Sequence, residues 1–499
     1  MNLNKRQRVL AVGLDAAEPQ FVRALVEAGA LPTLARLLGE GAWGRVESPA
    51  RVGSGAVWPT FFTGEGPAAH GVYSDWCWQP ETMSLARYDA ARLTPFWTGL
   101  ARAGVRVGAL DVPFAPLVGL PEGFEVSEWG AHDSHEGRTK AAPREVEELV
   151  TGRFAPHPFS SERGNAQDSD GVEGLRKLSA ACLEGVRLRG ELAARLIRET
   201  QTELSIIVFP ELHHAAHRLW HTVAPEHALY AGDGLPDARA ISPTLADILR
   251  EVDAQIARLV EAAGADASVL VFSLHGLRPA RGLPDFLDAW LGAAGLAHAA
   301  GWATLSWAQR AAALFGAAKR RAPAGLKRLY HRKLPKGVAH RLAQPTMLPA
   351  YDWTRTRAFS LPTDQHGWIR VNLAGREAKG CVPPESYEEV CREVEEAVRA
   401  LTAEDGRPLV REVIRTAEGP HEALTRRIPD LIVHWDDSAF ELPMRMGKLL
   451  LKAHPAAGGQ TGQHAPEGFC VWKGPRAFAG ESIPARELHR VITETLANG

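Results

Sequence analysis

Apolar residues in this chain gather into short runs, and several of those runs end at a residue able to bind a metal or do chemistry. Val9–Leu14 leads into Asp15, Leu204–Phe209 into the stretch Glu211 to His217, and Ser268–Phe272 into Ser273-Leu274-His275-Gly276. Near the C-terminus, Gly462-Gln463-His464 precedes the run Phe469-Cys470-Val471-Trp472; Val105–Leu110 and Leu431–His434 are further examples. Such runs predict buried strands. Between them the spacing turns helical, through Phe21, Leu25, Leu31, Leu34, Leu37 and Leu38, and again through Leu188, Leu192 and Leu196. Strands alternating with helices predict an α/β fold: a mostly parallel sheet covered on both faces. Open sheets of that kind place their ligands at the carboxyl ends of the strands.

The segment after Phe209 is the most informative. His213 and His217 stand four apart in a stretch that reads as the opening of a helix, and positions i and i+4 share one helix face. Both imidazoles can therefore reach a single metal ion. Ser54 is a further candidate for chemistry. It lies between Gly53 and Gly55, ahead of the apolar stretch from Val57 to Phe62, where a helix N-terminus would favour an oxyanion or a bound phosphate.

At 499 residues, the chain is long enough for one large core carrying substantial insertions. We expect a single domain over 1–499 with insertions at about 130–200 and 284–348. A formal net charge of −2 and 45% hydrophobic residues indicate neither a nucleic-acid-binding field nor disorder. No apolar stretch approaches the roughly 20 residues of a membrane helix, so no membrane partner is expected. Met1–Arg8 is polar and carries no signal-peptide pattern. Cys77, Cys182, Cys381, Cys391 and Cys470 are an odd set without Cys-x-x-Cys spacing, which predicts a reduced, cytoplasmic protein. The basic run through Lys319-Arg320-Arg321, Lys327-Arg328, His331-Arg332-Lys333 and Lys336 is expected to be a solvated helical face. The aromatics Trp58, Phe61, Phe62 and Trp97 are expected mostly in the core, with Trp76 and Trp78 as candidate pocket residues.

Taken in order, Gly13-Leu14-Asp15, Ser54-x-x-x-Trp58 with Thr63-Gly64-x-x-Pro67-x-x-His70-Gly71, Phe209-x-Glu211 with His217, Ser273-x-His275-Gly276 and Gly462-Gln463-His464 resemble the type I phosphodiesterase/nucleotide pyrophosphatase family of the alkaline phosphatase superfamily. Asn372-Leu373-Ala374-Gly375-Arg376-Glu377 and Pro429-Asp430-Leu431-Ile432-Val433 are fainter echoes. The resemblance implies an alkaline-phosphatase-like α/β/α sandwich with helical insertions. It also implies a hydrolase of small anionic phosphate-type esters that uses two metal ions, usually zinc, and a Ser or Thr nucleophile. Carried over, Asp15, Ser54 and His275 match one metal site, and His217 and His464 the other.

Two positions depart from the family pattern: His213 stands where the family has Asp, and Leu274 where it has the Asp of Asp-His-Gly. The first departure converts one site to His213/His217/His464, a three-imidazole set known from catalytic zinc. The second removes an anionic ligand from the other site, so one tight zinc, or another divalent transition metal, is expected, with the second ion weak or absent. Glu211 or Asp75 would be the substitute ligand if two ions bind. The expected chemistry is attack by Ser54 to give a seryl intermediate, then hydrolysis by metal-activated water. Asp15 and His275 either hold a second ion or orient Ser54, with His275 the candidate general base. Two other readings remain open: a mononuclear enzyme with changed chemistry (transfer or bond cleavage on a small metabolite), and a non-hydrolytic metal-binding relative. Oligomeric state is not legible.

Overall fold

A computed structural model describes residues 7–131, 138–159, 171–225, 227, 241–280, 286–322, 336–362, 365–436, 438, 444–446, 449–451, 459–475 and 481–497. The chain divides into two compact units, one of Met1–Gly66, Asp89–Ala280 and Pro455–Gly499, the other of Pro67–Tyr88 and Arg281–His454.

The first unit is built on a nine-stranded sheet. Its spatial order is Ser482–Pro484, Ala42–Glu47, Glu467–Lys473, Ser268–Ser273, Val9–Leu14, Leu204–Phe209, Val107–Leu110, Gly123–Ser127 and Lys140–Ala142. The five strands from Ser268–Ser273 to Gly123–Ser127 are mutually parallel, while Glu467–Lys473 and Lys140–Ala142 join antiparallel. The unbroken apolar runs follow from this position. Leu10, Val12 and Leu14 enter the core on one face, with Ile207, Phe209, Val269 and Val271. Val9 and Ala11 enter the opposite core, with Leu204, Ile206, Val208, Leu270 and Phe272. A strand covered on both sides has no solvent face on which to place a polar residue.

Helix Gly171–Thr200 packs on helix Leu245–Ala263 over the first face, and helix Glu211–Leu219 joins both. The opposite face is covered by Val57–Thr63 and Leu488–Ala497. The helical spacing after Asp15 resolves into two helices, Pro19–Glu27 and Pro32–Gly39, each opened by a proline at its first position.

The second unit contains a four-stranded antiparallel sheet, Ala358–Leu361, Gly367–Val371, Leu431–Trp435 and Val410–Arg415. The Leu431 run is thus a strand, but of this sheet and not of the parallel one. The two fainter sequence echoes meet here as a buried ion network. Arg376 grips Asp430 through Nη1 and Nη2 at 2.7 Å each. Glu377 accepts from Arg370 at 2.7 Å and from the Trp78 indole at 2.8 Å.

Candidate metal centre

Strand register brings the candidate residues together. Leu14 pairs with Phe209, and Gly13 with both Val208 and Phe272, so three neighbouring carboxyl ends finish level. Asp15, helix Glu211–Leu219 and the Ser273–Gly276 turn leave the sheet from those ends. A fourth segment, Gly462–Ala465, pairs antiparallel with Gly276–Pro279 and places His464 opposite Leu277. It lies tight against the helix: a Cβ at Gly462 would stand 2.5 Å from the Ala216 carbonyl oxygen and 2.7 Å from Leu277. Only glycine allows that approach, and the approach lets the Gly462 carbonyl reach His217.

The Nε2 atoms of His213, His217 and His464 form a triangle with sides of 2.9, 2.8 and 3.1 Å. Hydrogen-bond partners set the tautomers. His213 Nδ1 donates to Asp15 Oδ2 at 2.8 Å, and His217 Nδ1 to the Gly462 carbonyl at 2.8 Å. With Nδ1 carrying the proton, each of these two Nε2 atoms presents a lone pair toward the same point. Converging lone pairs repel unless a cation lies between them, so the donor set fits a metal. Nitrogens about 2.0–2.1 Å from one tetrahedral zinc stand about 3.3 Å apart, a few tenths of an ångström beyond the observed spacing.

Asp15 is buried and anchored at both oxygens: Oδ1 accepts from the Trp58 indole at 2.9 Å, Oδ2 from His213. Burial pushes its carboxyl up, but the charge and hydrogen bond of His213, with a smaller contribution from nearby His275, override that and hold it well below the usual range. His275 is buried, with Nδ1 3.2 Å from the Gly276 carbonyl and Nε2 3.5 Å from Asp15 Oδ1. Ligand atoms of Asp15, His213 and His275 also lie within 4.8 Å of one another, a second candidate group that shares His213 with the first.

Leu274 is buried and belongs to the apolar core with Phe272, Trp58 and Cys470. Neither proposed substitute ligand joins the candidate metal groups of the described residues. Glu211 accepts from Arg189 Nε at 2.8 Å and lies 2.8 Å from His157 Nε2. Asp75 pairs with Arg87 at 2.9 Å in the other unit.

Ser54 opens a short 3-10 turn, Ser54–Ala56, that runs into the helix Val57–Thr63. Trp58, four residues on, ties this segment to Asp15. Gly13 makes room for it, since a Cβ there would meet the Trp58 ring at 2.6 Å. Trp58, Phe61, Phe62 and Trp97 are core residues. Trp78 is buried against Trp353 and Phe359 in the second unit. Of the basic run, Lys327, Arg328, His331, Arg332 and Lys333 lie outside the described residues, as do parts of both expected insertions. All five cysteines are free. Among the described residues no helix is long and apolar enough to cross a membrane. Sequence reasoning missed the anchoring partners: Trp58 for Asp15, Gly462 for His217, and Arg189 and His157 for Glu211. None stands close in sequence to the group it holds.

A family model described as type I phosphodiesterase / nucleotide pyrophosphatase matches residues 9–448, which include every candidate site residue except His464. No curated protein matches the chain. Among solved structures, phosphonoacetate hydrolase from Sinorhizobium meliloti 1021, in complex with phosphonoacetate, is similar at 16% identity and a TM-score of 0.50, over 98% of this chain and 96% of that one. Human ectonucleotide pyrophosphatase / phosphodiesterase 5 is similar at 13% identity and a TM-score of 0.46, over 98% and 95% of the two chains.

Proposed function

The chain belongs to the type I phosphodiesterase / nucleotide pyrophosphatase family, a family of phosphoester hydrolases, and from that premise we propose a metal-dependent hydrolase of small anionic phosphate or phosphonate esters with Ser54 as nucleophile. The observation that carries this reading is the convergence of three Nε2 atoms beside Asp15, at the carboxyl ends of the central parallel strands.

His213, His217 and His464 would hold one divalent ion, with zinc the best match to an all-imidazole set. When bound, it supplies Lewis-acid stabilisation of a phosphoryl oxygen and acidifies water. Asp15 acts through His213: accepting from Nδ1 fixes the tautomer and ring plane and raises the basicity of Nε2, as carboxylates behind metal-bound histidines do. This role fits a chain in which Leu274 has removed a ligand from the neighbouring position and both Asp15 oxygens accept hydrogen bonds.

The hydroxyl of Ser54 attacks phosphorus in line. The Oγ–P bond forms as the bond to the leaving alkoxide breaks, and the serine proton passes to His275. Two distances support His275 as that base. Its Nδ1 approaches the Gly276 carbonyl at 3.2 Å, while its Nε2, 3.5 Å from Asp15, is too distant for a strong hydrogen bond. The alkoxide leaves as the alcohol after taking a proton from water. The hydroxide so formed adds to phosphorus as the Oγ–P bond breaks, and His275 returns its proton to Oγ, restoring serine and releasing phosphate, phosphonate or, from a diester, a phosphomonoester.

The test is turnover of p-nitrophenyl phosphate mono- and diesters, phosphonate esters and sulfates by the zinc-loaded protein, beside Ser54→Ala. We expect release of p-nitrophenol from at least one phosphorus ester and its loss in the variant. A Ser54→Ala protein with full turnover removes the covalent step. A stoichiometrically loaded protein that turns over no ester favours the mononuclear enzyme of changed chemistry or the non-hydrolytic metal protein, readings to which the core packing of Leu274 lends weight.

A further inference from the structure

Between Asp288 and Asp352 the sequence contains no acidic residue and ten cations, from Arg310 to Arg341. The whole chain, by contrast, balances 57 Lys and Arg against 59 Asp and Glu. Apolar residues are exposed in the same stretch. Trp307 is 85% exposed, Leu314 62%, Trp302 54%, and Val338 and Leu342 42% each; these are the exposed large hydrophobics of the described residues. Trp307 and Leu314 lie on the helix Trp307–Arg321 with the exposed Ala311 and Ala318. At 100° per residue, positions 307, 311, 314 and 318 form one narrow stripe along that helix. Arg310 and Arg321 fall to one side of it. The Arg310 guanidinium lies 5.9 Å from the Trp302 ring and 5.5 Å from that of Trp307, which holds both indoles at one end of the stripe.

An apolar stripe tipped with tryptophan and bordered by cations, without one intervening carboxylate, has the composition of a helix that lies in a lipid interface. We propose that the helix Trp307–Arg321, with Trp302, is a peripheral docking surface for an anionic membrane, with Trp302, Trp307 and Leu314 entering the headgroup boundary and Arg310 and Arg321 beside them facing lipid phosphates. Charge selects this occupant over a second copy of the chain, because self-association would press two acid-free, cation-rich segments together. Each cation close to an anionic surface raises partitioning roughly fivefold, and the indoles add an apolar contribution that salt does not screen. The absence of a spanning segment, from which no membrane contact was expected, has no bearing on adsorption, which needs no span.

The test is co-sedimentation of the full-length protein with vesicles of phosphatidylcholine alone or with one-third phosphatidylglycerol, at about 0.05 M and about 0.5 M salt. We expect binding to the anionic vesicles at low salt, at least about tenfold less on neutral ones, and loss at high salt. Trp307→Ser/Leu314→Ser should weaken binding about tenfold, and Arg310→Glu/Arg321→Glu more. All four positions lie on a helix whose face is exposed at Trp307, Leu314 and Arg321, so unchanged melting checks the fold. Four results overturn the proposal: no binding to anionic vesicles at low salt, equal binding to neutral vesicles, indifference to the Trp307→Ser/Leu314→Ser change, or a dimer in light scattering that this change abolishes.

Discussion

Arg189 Nε and Glu211 Oε1 meet at 2.8 Å with neither side chain exposed, and this pair fixes the first residue of the helix that carries His213 and His217. Around it, Arg189 Nη1 reaches Asp111 at 2.9 Å, Asp111 accepts from the backbone of Trp129 and Gly130, and His157 lies 2.8 Å from Glu211. Arg189 Nη2 and Glu211 Oε2 make no hydrogen bond among the described residues. Arg189→Met should therefore cost about 3–5 kcal/mol in denaturant unfolding of the metal-free protein, since it strands a buried carboxylate. Adding Glu211→Gln to the same protein should recover part of that loss, because the stranded charge, not the absent pair, dominates it. A single variant as stable as the wild type would contradict this account.

Metal stoichiometry is the next expectation. The purified protein should retain about one divalent ion per chain after dialysis, by the ligand count of three imidazoles. His213→Ala should abolish tight binding, since two imidazoles make a poor site. Leu274→Asp should raise affinity for a second ion, because it returns a carboxylate to the turn beside His275. Metal analysis decides the matter: two full-occupancy ions in the wild type would require a ligand not identified above.

The Asp15 role gives a separate signature. Asp15→Ala should lower metal affinity about 10–100-fold in chelator competition while leaving one ion per chain at saturation. Asp15→Asn, whose amide oxygen still accepts from His213 Nδ1, should lose less. If Asp15 instead ligates a second ion, both variants would drop one ion and keep the other at undiminished affinity.

Gly462→Ala should damage the centre without touching a ligand. Its methyl would sit 2.5 Å from the Ala216 carbonyl, and relieving that clash moves the acceptor of His217 Nδ1. We expect a loss of about 1–3 kcal/mol in unfolding free energy, together with weaker metal binding. Cobalt-substituted protein with an unchanged visible spectrum would show that the acceptor had not moved.

Acid should weaken the metal-free fold through two buried histidines. Burial holds both His70 and His221 at a pKa of about 4, below the ordinary 6.5, and nearby His227 adds to the effect at His221. Between pH 6.5 and 4 the unfolded chain takes up protons at these positions that the folded chain refuses, so stability must fall as pH falls through that window. The expected loss from pH 7.5 to 5 is on the order of 1–2 kcal/mol for each histidine. His221→Asn should flatten the pH dependence of the denaturation midpoint; an identical slope would remove His221 as a cause.

The sequence by itself determined the parallel core and singled out the residues proposed as ligands. Runs such as Val9–Leu14 are apolar throughout because both faces of the strand are covered, and that pattern is local. His213 and His217 share a face because helix geometry makes them do so, and Leu274 is visibly no ligand. Tertiary structure decided the rest. That the Leu431 run belongs to an antiparallel sheet depends on which strands it meets, and nothing within the run records that. That Asp15 orients His213, that Gly462 accepts from His217 and that Glu211 is spent on Arg189 are contacts across 198, 245 and 22 positions of chain. A side chain's partners at such separations are set by strand register and helix packing, and those emerge only when distant segments close around one core.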